Sequence, residues 1–281
     1  MKQESSDILQ INIGDIISKR RGKELPKFIA NLLERLIHQD EINYILRTYS
    51  NLDGVAFMNA LVKHFNLSLK VVGKDYLPQN GRALFVANHP LGGLDGICLS
   101  SIIGSHYGGS VKYIVNDLLF NLKPLQSIFV PVNKYGVQAR TSVQKMNEAL
   151  EGDLPVLTFP AGLCSRLING QIQDIVWNKS FVKQAVEHKR DIVPIFFSGR
   201  NSTHFYAIEK IRSLLKMKFN PGTALLPDEM FRAKGKSFSI VVGESIPYTD
   251  FTNLKSSQYN EAIMRVRSVV YSLPSVLAKN N

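Results

Sequence analysis

Residues 84–96 read Leu-Phe-Val-Ala-Asn-His-Pro-Leu-Gly-Gly-Leu-Asp-Gly. The stretch begins with a short apolar run typical of a buried β-strand, and its proline and glycines then predict a tight turn. His89 lies at the start of that turn, and Asp95 lies where a helical pattern begins. The stretch therefore predicts a strand–turn–helix unit, which is the building block of an α/β sheet.

Similar apolar runs occur on both sides of this stretch and alternate with helical patterns. The predicted strands are Leu69–Val72, Ala83–Ala87, Lys112–Val115, Phe129–Val132, Val156–Phe159, Ile192–Phe197 and Phe238–Val242. The predicted helices lie near residues 95–104, 137–151, 178–188, 204–215 and 257–272. This alternation predicts the α/β class, with a mostly parallel mixed sheet flanked by helices. Ligands bind such sheets at the carboxyl ends of their strands.

The first 66 residues have a different pattern. Residues 1–25 are interpreted as a leader with a basic run at 19–23, and helices are predicted from Pro26 and near residues 41–49 and 54–65. The first of these helices has apolar residues at three- and four-residue spacing, namely Phe28, Leu32, Leu33 and Leu36. We therefore predict a helical N-terminal region over residues 1–66, without a large core of its own, and a sheet-containing domain over residues 67–281.

The net charge of the chain is strongly positive. Lys and Arg number 34 against 23 acidic residues, which gives a formal charge of +11. Such a charge suits nucleic acid, anionic lipid head groups or an acidic protein partner, and it also fits a scattered surface excess. Charge alone does not choose among these.

Cysteine content and hydropathy indicate the compartment. The two cysteines, Cys98 and Cys164, are too few for a disulfide framework and form no zinc pattern, which favours a reduced, cytosolic setting. The polar N-terminus lacks the apolar core of a signal peptide, and no stretch approaches the roughly 18 apolar residues of a transmembrane helix. Any contact with a membrane is therefore expected to be peripheral.

The spacing of His89 and Asp95 suggests a general base. The turn could fold back so that Asp95 meets one imidazole nitrogen, which leaves the other nitrogen free to take a proton from a hydroxyl. The alternative interpretation is structural: Asp95 caps the helix and His89 is a turn residue.

A second strand-to-turn stretch carries an arginine. Residues 156–166 read Val-Leu-Thr-Phe-Pro-Ala-Gly-Leu-Cys-Ser-Arg. Arg166 could bind a phosphate or carboxylate, and Ser165 and the turn amides could add donors. Cys164 lacks an evident base nearby in sequence and is interpreted as a small packing residue.

Together the two stretches resemble the lysophospholipid (glycerolipid) acyltransferase superfamily. Its first block is commonly Asn-His-x-x-x-x-Asp and its third is Phe-Pro-x-Gly-x-x-Ser-Arg, which correspond to Asn88–Asp95 and Phe159–Arg166. Two weaker blocks follow the expected order: residues 130–134 with Arg140 resemble the second, and residues 192–195 resemble the fourth. The resemblance covers about residues 68–245, and the form of the motifs is most similar to bacterial hemolysin-like and lyso-aminolipid O-acyltransferases.

The resemblance implies a function and a set of site residues. It implies transfer of an acyl chain from an acyl-CoA or acyl-carrier-protein thioester to the hydroxyl of a lysolipid, a lysophospholipid or lyso-aminolipid, by an acyltransferase domain at 67–281. His89 and Asp95 would be catalytic, and the substrate-binding residues would be Lys134, Arg140, Gly162, Ser165 and Arg166. No metal and no bound cofactor are expected.

The resemblance also implies where the protein works. The expected partners are a lysolipid, acyl carrier protein or coenzyme A thioesters and an anionic membrane surface, with no nucleic acid. The expected location is the cytoplasm, peripheral at the inner face of the cell membrane. Helical patterns near residues 27–38 and 203–218 are candidates for the membrane face. A core-facing role is favoured for the first of these.

Three departures from the family pattern bear on this assignment. His89 and Asp95 are separated by five residues instead of four, so their contact is an inference. Ala161 stands where the third block commonly has a glutamate associated with acceptor binding. The second block lacks its usual Gly and Arg arrangement, so Lys134 and Arg140 could equally be solvated surface cations.

Three other functions remain as alternatives. A catalytically silent lipid-binding relative would fit the altered spacing. A nucleic-acid-binding protein would fit the charge, although no binding module is recognisable. A hydrolase of acyl esters or thioesters would need a nucleophile, and no Gly-x-Ser-x-Gly elbow accompanies the histidine.

Overall fold

A computed structural model describes residues 10–116, 122–132, 138–215 and 221–277. Its helices are α1 Ile13–Arg21, α2 Lys27–Leu36, α3 Gln39–Thr48, α4 Gly54–His64, α5 Leu94–His106, α6 Gln138–Glu151, α7 Ser180–Glu187, α8 Thr203–Leu214, α9 Pro221–Arg232 and α10 Tyr259–Leu277. Its strands are β1 Ser68–Val72, β2 Ala83–Ala87, β3 Lys112–Asn116, β4 Phe129–Val132, β5 Val156–Thr158, β6 Arg166–Ile168, β7 Gln171–Gln173, β8 Asp191–Phe197 and β9 Ser237–Val242.

Seven of these strands form one twisted layer in the order β1-β9-β8-β2-β5-β3-β4. Neighbouring strands are parallel except for the antiparallel pair β8 and β9. The structure thus confirms the predicted α/β fold with a mostly parallel mixed sheet. Each of the seven predicted strands is present, with bounds that differ by at most one residue at each end.

The central strand β2 sets the position of the site. It pairs in parallel with β8 on one side and β5 on the other, with Leu84 opposite Ile192 and Val156. The segments that follow β2 and β5, residues 88–93 and 159–165, therefore leave the sheet at the same edge. The first and third sequence blocks meet there, β8 carries the fourth block beside them, and β4 carries the start of the second block at the sheet's far edge.

The side chains of β2 alternate between two apolar cores. Phe85 packs into the core shared with α4 and α5, whereas Leu84 and Val86 pack on the opposite face with Trp177 and Val266. A strand buried on both faces has apolar residues throughout, as a central strand of a parallel sheet requires. This explains why residues 84–87 form a continuous apolar run.

The N-terminal helices pack against this sheet domain. Phe57, Met58 and Leu61 of α4 belong to the same core as Phe85. α4 lies close to α5 because Gly104 has no side chain: a Cβ there would lie 2.3 Å from Cγ2 of Val55. The N-terminal helices thus share the core of the sheet domain, as expected for a helical layer without a large core of its own. The domain boundary after residue 66 stays a prediction.

Residues 1–25 contain a helix that the sequence interpretation did not predict. α1 begins after Asn12, whose side chain accepts a hydrogen bond from the Asp15 amide, and it ends at Gly22 in the left-handed conformation, with φ of 65°. The Asn43 side chain bonds both backbone groups of Ile11, which ties the start of α1 to α3. Sequence analysis missed this helix within the stretch interpreted as a leader, because the helix has few apolar residues.

Two further strands and one further helix were absent from the prediction. The strands β6 and β7 form a hairpin whose turn residues, Asn169 and Gly170, have φ of 51° and 78°. Asn-Gly with two positive φ angles is the usual signal for a two-residue hairpin turn. The other missed element is α9, which contains Pro227. Among the described residues, no helix has both the length and the hydropathy needed to cross a membrane.

Candidate active site

His89 and Asp95 are in direct contact. Nδ1 of His89 lies 3.0 Å from Oδ2 of Asp95, and the Asp95 side chain is completely buried. The same oxygen accepts hydrogen bonds from the backbone amides of Leu91 and Gly92, at 2.9 and 3.3 Å. Since backbone amides can only donate, Oδ2 is an acceptor and Nδ1 of His89 carries a proton.

The extra residue between His89 and Asp95 is accommodated in the turn. Gly92 has φ of 81°, a left-handed conformation that glycine adopts without a steric penalty. α5 then begins at Leu94, with Gly93 at the cap position and Asp95 in the first turn. The Asp95 carboxylate folds back over the turn and holds the histidine. The N-cap residue is therefore Gly93 and not Asp95, although Oδ1 of Asp95 accepts a hydrogen bond from the first-turn amide of Gly96 at 2.9 Å.

The second nitrogen of His89 is available for chemistry. Among the described residues, Nε2 of His89 has no hydrogen-bond partner, and its side chain is 11% exposed. The imidazole stacks on Phe159, with ring centroids 4.1 Å apart and an angle of 26° between the planes. Phe159 follows β5 directly, so the third block fixes the orientation of the histidine of the first block. A protonated Nδ1 leaves a lone pair on Nε2, as a general base requires.

The charges around His89 raise its pKa. Burial lowers the pKa of this imidazole, and the Arg166 guanidinium acts in the same direction. The charge and hydrogen bond of Asp95, together with the charge of Asp174, outweigh both effects and leave the pKa above 6.5. The surroundings of His89 thus stabilise an imidazolium.

Asn88 joins the ends of two strands beneath the histidine. Its side-chain nitrogen donates to the carbonyl of Phe197 at 2.9 Å, and its side-chain oxygen accepts from the Phe197 amide at 2.7 Å. The amide side chain therefore occupies both backbone groups where β2 and β8 diverge. The asparagine of the first block therefore has a structural role, which is to join the ends of β2 and β8. Sequence analysis did not predict this role.

Ser165 contacts the backbone of His89. The Ser165 amide donates to the His89 carbonyl at 2.7 Å, and the Ser165 hydroxyl donates to Oδ1 of Asp174 at 2.5 Å. Oδ1 of Asp174 also accepts from the His89 amide at 3.1 Å. The hydroxyl that the sequence assigned to a head group is thus engaged by Asp174, and its role in substrate binding stays a prediction.

Arg166 is anchored to a buried carboxylate that the sequence did not suggest. Its Nε lies 2.8 Å from Oε2 of Glu209 on α8, and Nη1 donates to the carbonyl of Cys164 at 2.6 Å. Arg212 shares the same carboxylate at 3.1 Å. Nη2 of Arg166 has no partner in the part of the chain that the structure describes, and the guanidinium lies 5.6 Å from the centroid of the Phe205 ring.

The remaining predicted residues lie in different surroundings. Gly162 has φ of 65° and faces open space, because no atom lies within 4 Å of where a Cβ would be. Arg140 is exposed in the first turn of α6, and Lys134 lies outside the described residues. Cys164 is buried, and burial raises the pKa of its thiol to about 11, so it is protonated at neutral pH.

The structure therefore brings His89, Asp95, Ser165 and Arg166 together at one edge of the sheet. Asp174 and Glu209 are the site residues that sequence analysis missed. No local signal marks either one, since Asp174 follows the missed β6–β7 hairpin and Glu209 lies on a separate helix. The described residues contain no group of three or more His, Cys, Asp or Glu side chains arranged to hold a metal ion.

Comparisons with known proteins show the family of the chain. The chain matches the acyltransferase family over residues 17–279. It is 39% identical to a lyso-glycine lipid O-acyltransferase of Phocaeicola vulgatus over 276 residues, which cover 97% of this chain and 98% of that protein. It is 41% identical to a lyso-glycine lipid O-acyltransferase of Bacteroides thetaiotaomicron over 255 residues, which cover 90% of this chain and 93% of that protein.

A solved structure shows the same fold. The 1-acyl-sn-glycerophosphate acyltransferase PlsC from Thermotoga maritima superposes with a TM-score of 0.51 at 14% sequence identity, over 90% of this chain and 98% of that chain. The sequence-based recognition of an acyltransferase is confirmed by these matches. The chain, with His89 and Asp95 joined at the carboxyl edge of its sheet, belongs to the acyltransferase family.

Proposed function

We propose that this protein transfers a fatty acyl chain from a thioester to the hydroxyl of a lysolipid. The observation that carries the proposal is the His89–Asp95 pair, whose open Nε2 lies at the carboxyl end of the central strand. A base with a proton on Nδ1 and a lone pair on Nε2 is what activation of a hydroxyl needs. Membership of the acyltransferase family supports the reaction class.

The reaction proceeds by direct attack of the acceptor. Nε2 of His89 takes the hydroxyl proton while the acceptor oxygen bonds to the thioester carbonyl carbon. The resulting tetrahedral intermediate collapses, the C–S bond breaks, and the imidazolium returns its proton to the leaving sulfur. Asp95 holds the imidazole in the productive tautomer and stabilises its charged form, as its hydrogen bond to Nδ1 provides.

The acceptor is proposed to be a lyso-glycine lipid. Two relatives that share about two fifths of their residues with this chain carry that name. A glycine that is linked through its amine keeps a carboxylate, which is an anion at neutral pH. Nη2 of Arg166, which has no partner among the described residues, supplies a donor of the right charge beside the histidine, and Gly162 keeps the neighbouring turn open.

The acyl donor is proposed to be acyl-CoA or acyl carrier protein. Both present a fatty acid as a thioester, and both are acidic. The formal charge of +11 on this chain favours the approach of either one. Parallel assays with the same acyl chain on the two carriers identify the one that the enzyme uses.

A peripheral membrane location is proposed for the exposed faces of α2 and α8. Leu214 at the end of α8 is 71% exposed, and Ile211 and Leu215 are also exposed, beside the exposed Lys210. On α2, Phe28 is 73% exposed and Leu32 is exposed as well, so the core-facing role favoured from the sequence is wrong for these two residues. Apolar side chains flanked by cations fit an anionic membrane surface, at the inner face of the cell membrane.

The proposal is tested with purified protein, a radiolabelled acyl thioester and a panel of lysolipids. The panel holds lysophosphatidic acid, other lysophospholipids, lyso-ornithine lipid and lyso-glycine lipid. The proposed function predicts an acylated product that is greatest with lyso-glycine lipid. Binding of lysolipid without turnover, from folded protein and with both carriers, would indicate a silent lipid-binding protein instead.

A further inference from the structure

Asp174 is a buried carboxylate that touches the catalytic histidine through the backbone. It follows β7, and its residue exposure is 2%. Its Oδ1 accepts from the His89 amide at 3.1 Å and from the Ser165 hydroxyl at 2.5 Å. Its Oδ2 accepts from Nε1 of Trp177 at 2.8 Å. Both carboxylate oxygens are therefore satisfied by neutral donors.

The backbone of Asp174 is fixed as firmly as its side chain. Its amide donates to the hydroxyl oxygen of Tyr271 at 2.7 Å, and its carbonyl accepts from Nη2 of Arg267 at 3.0 Å. Both partners lie on α10, which packs on the sheet face opposite α5. The backbone of Asp174 is thus held by a helix that does not carry His89 or Asp95.

Nothing in the described residues neutralises this carboxylate by a direct ion pair. Arg267 contacts the carbonyl of Asp174 and not its carboxylate. Burial raises the pKa of Asp174 above its ordinary value and outweighs the bonds from Ser165, the His89 amide and Trp177, which lower it. Burial of an anion without a paired cation costs free energy of folding. A neutral side chain could make the same structural contacts at a lower free-energy cost.

We infer that Asp174 is a positioning residue of the acyl transfer, which fixes the backbone of His89 and provides a second negative charge for its imidazolium. The inference rests on the proposed function, because the imidazolium forms when His89 takes the acceptor proton. Asp95 contacts the imidazole from its own turn, and Asp174 contacts the backbone amide of the same histidine from the segment after β7. Arg166 is the opposing cation, so Asp174 offsets a charge that would otherwise disfavour proton uptake.

The same geometry gives Ser165 a role in positioning His89. Its amide holds the His89 carbonyl and its hydroxyl holds Asp174, so both backbone polar groups of His89 are bound within one loop of hydrogen bonds. Ser165 then acts by placing His89 and not by binding the head group. Ser165→Ala is expected to lower kcat and to leave the KM for the lysolipid unchanged. A head-group ligand would instead raise that KM.

The first test measures the pKa of His89 without any substrate. The chain has six histidines, so selective 13C labelling of histidine Cε1 gives few signals, and the signal lost in His89→Ala identifies His89. Asp174→Asn is expected to lower the pKa of His89, since a nearby carboxylate is removed. Asp250→Asn makes the same charge change beside Arg265 and is expected to leave His89 unchanged.

The second test measures turnover. Asp174→Asn is expected to reduce kcat by about tenfold or more, with the acid limb of the pH profile moved to lower pH. If Asp174→Asn does not fold, Trp177→Phe serves as the second variant. It removes the hydrogen bond to Oδ2 of Asp174, which disfavours the charged carboxylate. The pKa of His89 is therefore expected to fall in this variant as well. A folded variant with the wild-type His89 pKa and kcat overturns the inference. A shifted His89 pKa in the variant, together with a folded wild-type protein that forms no product, supports the charge coupling and refutes the proposed function instead.

Discussion

Nε of Arg166 lies 2.8 Å from Oε2 of Glu209, a carboxylate on α8 that is nearly completely buried. The third block of the superfamily that this sequence resembles commonly has a glutamate directly after Phe-Pro, where this chain has Ala161. Here the carboxylate beside the arginine comes from a separate helix. The arrangement orients the guanidinium and leaves Nη2 as its open side.

Arg166→Ala is expected to reduce kcat/KM for lyso-glycine lipid. The loss of a charged hydrogen bond to a carboxylate corresponds to about 1.5–3 kcal/mol, or roughly 10- to 100-fold. Arg212→Ala is the matched control, because Arg212 shares Glu209 but has no proposed contact with the acceptor. Steady-state kinetics with both variants check this. Equal losses in the two variants would show that only the Glu209 ion pair matters.

The acid limb of kcat/KM is expected to lie above pH 6.5. His89 acts as a base only when it is neutral, and the carboxylates around it raise its pKa, so activity falls as the pH drops through that raised value. Asp95→Asn removes the main source of the rise and should move the limb to lower pH while it reduces the rate. A pH–rate profile of wild type and variant checks both, and a limb at or below 6.5 in wild type contradicts the assignment.

Gly92→Ala is expected to destabilise the catalytic turn. Gly92 has φ of 81°, where a side chain costs about 1 kcal/mol or more. Gly93→Ala is the control, because Gly93 has φ of −131° and no atom lies within 4 Å of its added Cβ. Thermal unfolding and activity should both fall for the first variant only. The same effect in both would mean that the turn needs no left-handed residue.

Ile211→Ser/Leu214→Ser is expected to weaken binding to anionic vesicles by about tenfold or more, since two exposed apolar side chains are lost from the proposed membrane face. Met264→Ser changes an exposed apolar residue on α10 and serves as the control. Vesicle sedimentation checks this, and raised salt should weaken the binding of wild type. Vesicle binding that does not change with salt, with the anionic lipid content or with the two α8 substitutions would contradict this membrane surface.

The fold and the contact between His89 and Asp95 could be predicted from the sequence because their signals are local. The apolar run of β2 and the Pro/Gly turn after it lie within residues 84–96, and the predicted bounds of β2 match those of the structure. His89 and Asp95 are separated by a single turn, so their contact depends on the conformation of that turn alone. The Asn169-Gly170 turn was also a local signal, which the prediction overlooked.

The supporting residues could not be predicted in this way. The bond between the His89 amide and Asp174 joins residues 85 positions apart. Glu209 contacts Arg166 only because α8 packs beside the hairpin that begins at Arg166. Such contacts depend on tertiary packing, and no spacing rule within one segment reveals them.

The most direct test of the central claim is acyl transfer by wild-type and His89→Ala protein, with a labelled acyl thioester and lyso-glycine lipid. Loss of a general base costs about 10²–10⁴ in rate, so the folded variant should be nearly inactive while the wild type forms product. Circular dichroism and thermal unfolding confirm that the variant is folded. A His89→Ala protein that keeps most of the wild-type rate would contradict the mechanism.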